Sequence, residues 1–133
     1  MTSGAVRVEH QGGDRFRIGV RQHTLEVDQP EDDGGTDVAA TPTEMFVASL
    51  ASCVAFYVRR YLSRHDLPTE GLVVTATFAM AQRPARVGDI AVQIDVPDGV
   101  PAERRPALLA VAGRCTVHNT LEQPPHVTVE VTA

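Results

Sequence analysis

The chain has 133 residues, of which 43% are hydrophobic and 22% are charged, a balance typical of a single folded domain over residues 1–133 and too apolar for a disordered chain. Its net charge of -5, with arginines scattered along the sequence, argues against nucleic acid as a partner. All twelve basic residues are arginine, which excludes Schiff-base catalysis by a lysine.

Two segments bear on where the protein acts. Residues 1–8 lack the apolar run and the small-residue cleavage site of an export signal, which predicts a cytoplasmic protein. The longest uncharged apolar stretch, residues 45–58, is shorter than the roughly 20 residues that cross a bilayer. We therefore expect a buried helix and no interaction with a membrane.

Three alternating segments open the chain and predict three antiparallel strands. Apolar and polar residues alternate over 6–10 and again over 15–21, with a Gly-Gly-Asp turn between them, so these two segments form a β-hairpin. A third alternating run, 24–28, continues the sheet and ends before Pro30. The acids and turn formers over 31–37 predict a loop.

The first helix has a strong start signal. Thr41 can cap the first turn, Pro42 suits the first helical position, and Glu44 completes a capping box, which predicts a helix that runs to about His65. Its first half, residues 45–56, has no polar face apart from serines. A small sheet and one more helix cannot cover such a helix on all sides, so we predict that a second subunit completes the cover.

Two more strands, a second helix and a last strand complete the predicted order. Alternation over 73–80 and 90–96 predicts a pair of strands. An apolar stripe then predicts a second helix, which starts near Arg104 because Pro106 is tolerated only in the first turn. Alternation over 126–131 predicts the last strand. The predicted fold class is α+β, with the order βββ-α-ββ-α-β.

Cys53 and Cys115 are the residues with the clearest chemical potential. Cys53 lies inside the first predicted helix and Cys115 follows the end of the second, so only the fold can bring them together. One interpretation is that both are small core residues, as free cysteines often are. The other is a redox pair, because a lasting disulfide is uncommon in a reducing compartment and a transient one is the usual form. In a reactive pair, an arginine, a protonated histidine or a helix N-terminus near the attacking cysteine would lower its pKa and favour the thiolate.

Other kinds of site have little support in the sequence. Cys115 and His118 have the spacing of half a zinc site, but a structural zinc takes four ligands and the other histidines are scattered singly. No glycine-rich phosphate loop follows a strand, and no Ser-His-Asp set stands out. We therefore expect no metal and no cofactor.

Three motifs together resemble those of one family. The sequences TPTE over 41–44, ASLASC over 48–53 and RCTVHNTL over 114–121 resemble the OsmC/Ohr family of osmotically inducible and organic hydroperoxide resistance proteins. The likeness covers nearly the whole chain, and the combination of the motifs is specific. The resemblance implies an intertwined homodimer, with two central helices per subunit and two active sites at the subunit interface.

The resemblance also implies a thiol peroxidase. In that case Cys53 attacks the peroxide oxygen as a thiolate and becomes a sulfenic acid, and Cys115 condenses with it to a disulfide that an external dithiol reduces. Glu44 matches the family glutamate that orients an activating arginine. Apolar helix faces around the site would favour organic hydroperoxides over hydrogen peroxide.

The chain departs from the family pattern in one respect. The peroxidases of the family carry their activating arginine before the Pro-x-Glu motif, and residues 31–43 of this chain contain no arginine. Arg15, Arg17 and Arg21 are the candidates to replace it. The departure leaves a second hypothesis open, a protein of the same fold that senses redox state or binds a small ligand without peroxidase activity.

Overall fold

A computed structural model of the chain describes residues 3–132. These residues belong to two compact units, Met1–Phe46 and Val47–Ala133. The first helix begins near the end of the first unit and continues into the second. That the whole chain is one domain stays a prediction.

The first unit contains a three-stranded antiparallel sheet. The strands pair in chain order: β1 (Val6–Gly12), β2 (Arg15–Val20) and β3 (His23–Val27). Val8 lies opposite Ile18, and Ile18 lies opposite Leu25, so apolar side chains share one face of the sheet while charged side chains share the other. The hairpin and third strand predicted from alternation are therefore present with the expected faces.

Asp28 organises the loop that follows β3. Its carboxylate is 1% exposed and accepts hydrogen bonds from the N–H groups of Gln29 (2.7 Å), Thr36 (3.3 Å) and Val38 (3.1 Å) and from the Thr36 hydroxyl (2.8 Å). Burial alone would raise the pKa of Asp28, but these hydrogen bonds outweigh it and lower the pKa below its ordinary value. A Cβ at Gly35 would overlap the Gln29 carbonyl, so this loop also requires a glycine there.

Asp28→Asn is expected to destabilise the protein at neutral pH and to matter less in acid. The folded-state pKa of Asp28 is lowered, so the stability from its carboxylate is present above the ordinary pKa of 3.8 and is lost as the pH falls through the folded value. Urea unfolding of both proteins, measured from about pH 7 to about pH 3, checks this. Asp33→Asn, at an exposed carboxylate of the same loop, is the control. If the free energies of unfolding of the wild type and Asp28→Asn differ by the same amount at every pH, the prediction is contradicted.

The second unit packs helices against a two-stranded antiparallel sheet. In chain order, the helices and strands after the first sheet are α1 (Pro42–Arg64), β4 (Val73–Ala81), β5 (Arg86–Asp95), α2 (Arg105–Ala112) and α3 (Thr116–Glu122). Val58 and Leu62 of α1 are fully buried at the centre of the core. Around them lie Val74 and Ile94, which face each other across β4 and β5.

Helix α2 begins where its proline predicts. A 3-10 turn over Ala102–Arg104 leads into the regular helix, which starts at Arg105 and places Pro106 in its first turn. Proline lacks an N–H, and the first turn is where a helix has no internal partner for that group. The expected start near Arg104 is therefore confirmed.

Helix α1 buries one stripe of its surface within the second unit. The buried side chains recur every three or four residues: Val47, Leu50, Val54, Val58 and Leu62. Other apolar positions are open, and Phe56 is 52% exposed. By length and composition alone α1 could also span a membrane, the one such helix in residues 3–132, with 28% of its most apolar window buried. That α1 is instead covered by a second subunit stays a prediction.

The C-terminal part differs from the predicted order in two ways. The segment 126–131 forms no strand, and Val127, Val129 and Val131 are 72%, 90% and 93% exposed. A strand needs a neighbour for its backbone hydrogen bonds, and alternation does not supply one. The predicted last strand is therefore wrong for the single chain. A third helix, α3, follows Cys115 instead, so the observed order is βββ-α-ββ-α-α.

Candidate redox site

The second unit brings Cys53 and Cys115 together. The side chains of Cys53 and Cys115 are neighbours in the core cluster of the second unit, although the two residues lie far apart in the sequence. Both are free thiols. Cys53 is half-buried, whereas Cys115 is fully buried in the core. Because the two side chains are neighbours, they can form a disulfide without a large movement of the chain. The catalytic roles of the two residues stay predictions.

Helix α1 sets the position of Cys53. Leu50 and Val54 belong to the buried stripe of α1, and Cys53 lies on the flank of that stripe, which leaves its side chain partly open. Cys53 therefore packs against the apolar core while the residue as a whole remains partly exposed.

Cys115 is held at the start of helix α3. Its backbone is extended, and its Sγ accepts a hydrogen bond from the N–H of His118 at 3.3 Å. Cys115 is thus the N-cap residue of α3, a position that Ser, Thr, Asp or Asn usually occupies. The predicted location of this cysteine, after the end of the second helix, is confirmed, and the residue also begins a third helix that was not predicted.

The surroundings of Cys115 favour its neutral form. Burial raises the pKa of the Cys115 thiol, and the neighbouring Cys53 raises it further, while the N–H groups of His118 and Val117 act in the opposite direction. The net pKa lies above the ordinary value of a cysteine. Since the thiolate is the nucleophile, Cys115 is poorly suited to start a reaction at neutral pH.

A hydrogen bond links the two segments that carry the cysteines. The Tyr57 hydroxyl lies 2.9 Å from Oγ1 of Thr116. Tyr57 follows Cys53 by one helical turn, and Thr116 follows Cys115 directly. Neither residue was among the candidates from the sequence. The spacing of four residues in a helix would have placed Tyr57 near Cys53, but nothing in the sequence pairs it with Thr116.

Glu44 lies in the first unit and forms the predicted capping box. Its carboxylate accepts a hydrogen bond from the N–H of Thr41 at 2.9 Å, and the Thr41 hydroxyl accepts one from the N–H of Glu44 at 3.0 Å. The Glu44 side chain is exposed and forms no ion pair with an arginine in residues 3–132. The capping role is confirmed, whereas the role of orienting an arginine stays a prediction.

The arginines considered as replacements for the missing one also lie in the first unit. Arg15 is engaged with Glu26 at 3.1 Å, and its Nε is buried without a hydrogen-bond partner. Arg17 and Arg21 form no ion pair within the described part of the chain. No group of three or more His, Cys, Asp or Glu side chains in residues 3–132 is placed to hold a metal ion.

Comparison with known proteins identifies the family. A family model described as OsmC-like protein matches residues 31–130, well over half of the chain. The chain belongs to the OsmC-like protein family. The resemblance seen in the motifs around Glu44, Cys53 and Cys115 is therefore confirmed. No curated protein matches the chain.

Solved structures of OsmC-like proteins share the fold of this chain. A Psychrobacter arcticus protein described as an osmotic stress induced and detoxification response protein has a TM-score of 0.82 and 23% identity, covering 90% of this chain and 89% of its own. The organic hydroperoxide resistance protein OsmC of Legionella pneumophila has a TM-score of 0.70 and 20% identity, covering 91% and 90%. An OsmC-like protein of unknown function from Vibrio cholerae has a TM-score of 0.73 and 12% identity, covering 92% and 95%. These likenesses confirm the predicted α+β fold of the OsmC type.

Proposed function

We propose that this OsmC-like protein is a cysteine-based peroxidase that reduces organic hydroperoxides through Cys53 and Cys115. The observation that carries the proposal is the contact between the half-buried thiol of Cys53 and the fully buried thiol of Cys115. Membership of the OsmC-like family supports it, since one structural relative is named as an organic hydroperoxide resistance protein. The two cysteines need no cofactor for this chemistry.

The proposed reaction has two chemical steps and a recycling step. The Cys53 thiolate attacks one peroxide oxygen, the O–O bond breaks, and the alkoxide takes a proton to leave as an alcohol, with Cys53 as a sulfenic acid. The Cys115 thiol then gives up its proton and attacks the Cys53 sulfur, a water molecule leaves, and a disulfide forms. An external dithiol reduces this disulfide and is itself oxidised to a disulfide.

Burial and pKa support this division of roles. Cys115 is 0% exposed and the pKa of its thiol is raised, and both properties disfavour it as the sulfur that first attacks a peroxide. Cys53 is only partly buried. The more accessible sulfur therefore attacks the peroxide, and the enclosed one resolves the sulfenic acid. The same difference in access directs the external dithiol to the Cys53 sulfur of the disulfide.

The apolar surroundings of the pair support an organic substrate. Cys115 belongs to the core cluster and Cys53 packs against it, and the other buried members of the cluster are aliphatic, including Leu50, Val54 and Leu108. An alkyl group gains free energy on entering such surroundings, whereas hydrogen peroxide has no apolar surface to bury. Alkyl hydroperoxides are therefore proposed as substrates, in the reducing cytoplasm where a dithiol regenerates the thiols.

A peroxide-consumption assay tests the function. Wild-type protein with dithiothreitol should consume tert-butyl hydroperoxide catalytically and should consume hydrogen peroxide at least about tenfold more slowly, since burying each methyl group is worth roughly 0.8 kcal/mol or more. Thiol titration of the native protein is the accompanying control. Titratable thiols without consumption of either peroxide would reject the peroxidase and favour the second candidate below.

We also propose that two copies of the chain intertwine as a homodimer. Three apolar side chains on one face of the first sheet are well exposed in the single chain, with Val6 at 63%, Val8 at 55% and Leu25 at 43%. The segment 126–131 alternates as a strand does but has no strand partner in the described chain. A second copy can supply both the missing cover and the missing partner. The proposed site at a subunit interface requires this assembly.

The second candidate function is redox sensing or small-ligand binding without peroxidase activity. Residues 31–43 contain no arginine, which favours this candidate. It is also favoured by the ion pair of Arg15 with Glu26 and by Glu44, which forms no ion pair with an arginine in residues 3–132. A thiolate without a nearby cation is less populated and less reactive toward peroxide. The Cys53 and Cys115 pair would then respond to another electrophile or thiol.

Glu44→Gln separates the capping role of Glu44 from a catalytic one. A glutamine side chain can still accept the hydrogen bond from Thr41, so helix stability should change by less than about 0.5 kcal/mol. If Glu44 orients an activating arginine, loss of its charge should lower peroxide turnover about tenfold or more. Turnover and urea unfolding of Glu44→Gln, compared with Thr41→Ala, make the measurement. Thr41→Ala should cost about 1 kcal/mol of stability and leave turnover unchanged. Unchanged turnover in Glu44→Gln would restrict Glu44 to the capping box.

A further inference from the structure

The hydrogen bond between Tyr57 and Thr116 ties together the two segments that carry the redox pair. The oxygen atoms are 2.9 Å apart, and the two side chains come from separate elements of the second unit. Tyr57 lies one turn after Cys53 on α1, and Thr116 is the residue that follows Cys115 in the sequence. We infer that Tyr57 is a positioning residue, which holds the Cys115 sulfur where it can bond to Cys53.

The bond has a geometric role because it is directional, whereas the apolar packing between these two segments is not. Cys115 and Val117 pack into the apolar cluster that contains Val54 and Leu108. Apolar packing is non-directional, so it excludes water without fixing the orientation of the side chains. A disulfide requires a Cα–Cα distance of about 4.4–6.8 Å and a torsion near 90°. A directed hydrogen bond at the next residue, Thr116, limits how far the backbone at Cys115 can move relative to α1.

Cys115 is thus fixed from two sides. On one side its Sγ accepts a hydrogen bond from the N–H of His118 within α3. On the other side the adjacent Thr116 forms a hydrogen bond with Tyr57 on α1. The first bond orients the sulfur relative to α3, and the second orients the start of α3 relative to the helix that carries Cys53. Loss of the second bond should leave α3 formed but less well aligned, which lowers the effective concentration of one thiol for the other.

This inference rests on the proposed function for its biological use, but its test needs no hydroperoxide. Oxidised dithiothreitol accepts two electrons and two protons from the thiols of Cys53 and Cys115, which form a disulfide, and it is released as the dithiol. The equilibrium constant of this exchange measures how well the two sulfurs are positioned. Tyr57 takes no part in the electron transfer.

The test is to measure that equilibrium constant in Tyr57→Phe by thiol alkylation and mass spectrometry. The substitution removes the hydroxyl and keeps the ring, which packs edge-on against Phe56 with ring centres 5.5 Å apart. The equilibrium constant should fall about three- to tenfold, the usual range for loss of one hydrogen bond. Thr116→Val should cause a similar fall, and the double variant should cause no further fall because both changes remove the same bond.

Tyr61→Phe is the matched control. Tyr61 lies one turn further along α1, and its hydroxyl accepts a hydrogen bond from Arg104 at 3.0 Å, so the variant loses the same group from the same helix. An unchanged equilibrium constant in Tyr61→Phe, beside a lowered one in Tyr57→Phe, is the expected result. Equal falls in these two variants would overturn the inference.

Two further outcomes separate this inference from the proposed function. Additive falls from Tyr57→Phe and Thr116→Val, or a wild-type protein that forms no disulfide with oxidised dithiothreitol, would overturn the positioning role. A wild-type protein that shows the expected pattern but consumes no hydroperoxide would support the positioning role and reject the peroxidase. The readouts differ because one follows disulfide equilibrium and the other follows peroxide.

Discussion

Cys53→Ser is expected to abolish the reduction of organic hydroperoxides, whereas Cys115→Ser is expected to stop the cycle after one turnover. A serine hydroxyl is not ionised at neutral pH and is a far weaker nucleophile toward the O–O bond than a thiolate, so the first step should slow by about 10³-fold or more. Cys115→Ser keeps the attacking sulfur of Cys53 and lacks the resolving one. Single-turnover measurement of tert-butyl hydroperoxide loss, with equal concentrations of protein and peroxide, distinguishes the two variants.

Cys115→Ser is also a well-matched variant for structural reasons. Serine is a preferred N-cap residue, so its hydroxyl can replace Sγ as acceptor for the N–H of His118 and keep α3 in place. After one turnover the sulfenic acid should persist on Cys53, where dimedone traps it as an adduct visible by mass spectrometry. A first step of wild-type rate in Cys53→Ser would contradict the assignment. So would equal loss of the first step in both cysteine variants.

Local signals in the sequence predicted the elements that depend on local interactions. The capping box of Thr41 and Glu44 set the start of α1, and Pro106 fixed the start of α2, because caps and prolines act within one helical turn. Alternation placed the apolar face of the first sheet correctly, since side chains in a strand point to opposite faces in turn. The same rule predicted a strand over 126–131, and there it failed.

The wrong prediction of a strand over 126–131 shows what alternation alone cannot predict. Alternation states which side chains share a face, but a strand exists only where another strand accepts and donates its hydrogen bonds. Helix α3 was missed for a related reason, because its start depends on an unusual cap, the thiol of Cys115. The contact of Cys115 with Cys53 depends on how α1 packs against the segment after α2, and no spacing in the sequence reports such packing.

The proposed chemistry requires a group that favours the thiolate form of Cys53. A cation usually stabilises a peroxidatic thiolate. Arg15, one of the candidate arginines, instead forms an ion pair with Glu26. In the proposed homodimer a second copy contributes its own arginines to surfaces that the single chain leaves open. Assembly and activity are therefore expected to be coupled, so a variant that separates the subunits should also lose turnover.

Val129→Asp is expected to dissociate the proposed homodimer, and Thr128→Asp is expected to leave it intact. Val129 is 90% exposed in the single chain, so a carboxylate there costs little unless a partner covers the position. If 126–131 forms a strand against a second copy, its valines face the apolar side and Thr128 faces the other side. An unpaired carboxylate on the covered side costs several kcal/mol, which should raise the dimer dissociation constant about 100-fold or more.

Sedimentation velocity over a range of protein concentrations measures this dissociation constant, and circular dichroism confirms that each variant is folded. A wild-type protein that sediments as a monomer at every concentration would reject the homodimer. Equal weakening by Val129→Asp and Thr128→Asp would keep the dimer and reject the strand, since a segment without alternating faces does not distinguish neighbouring residues. A selective effect of Val129→Asp, accompanied by loss of hydroperoxide turnover, would tie the last segment of the chain to both assembly and activity.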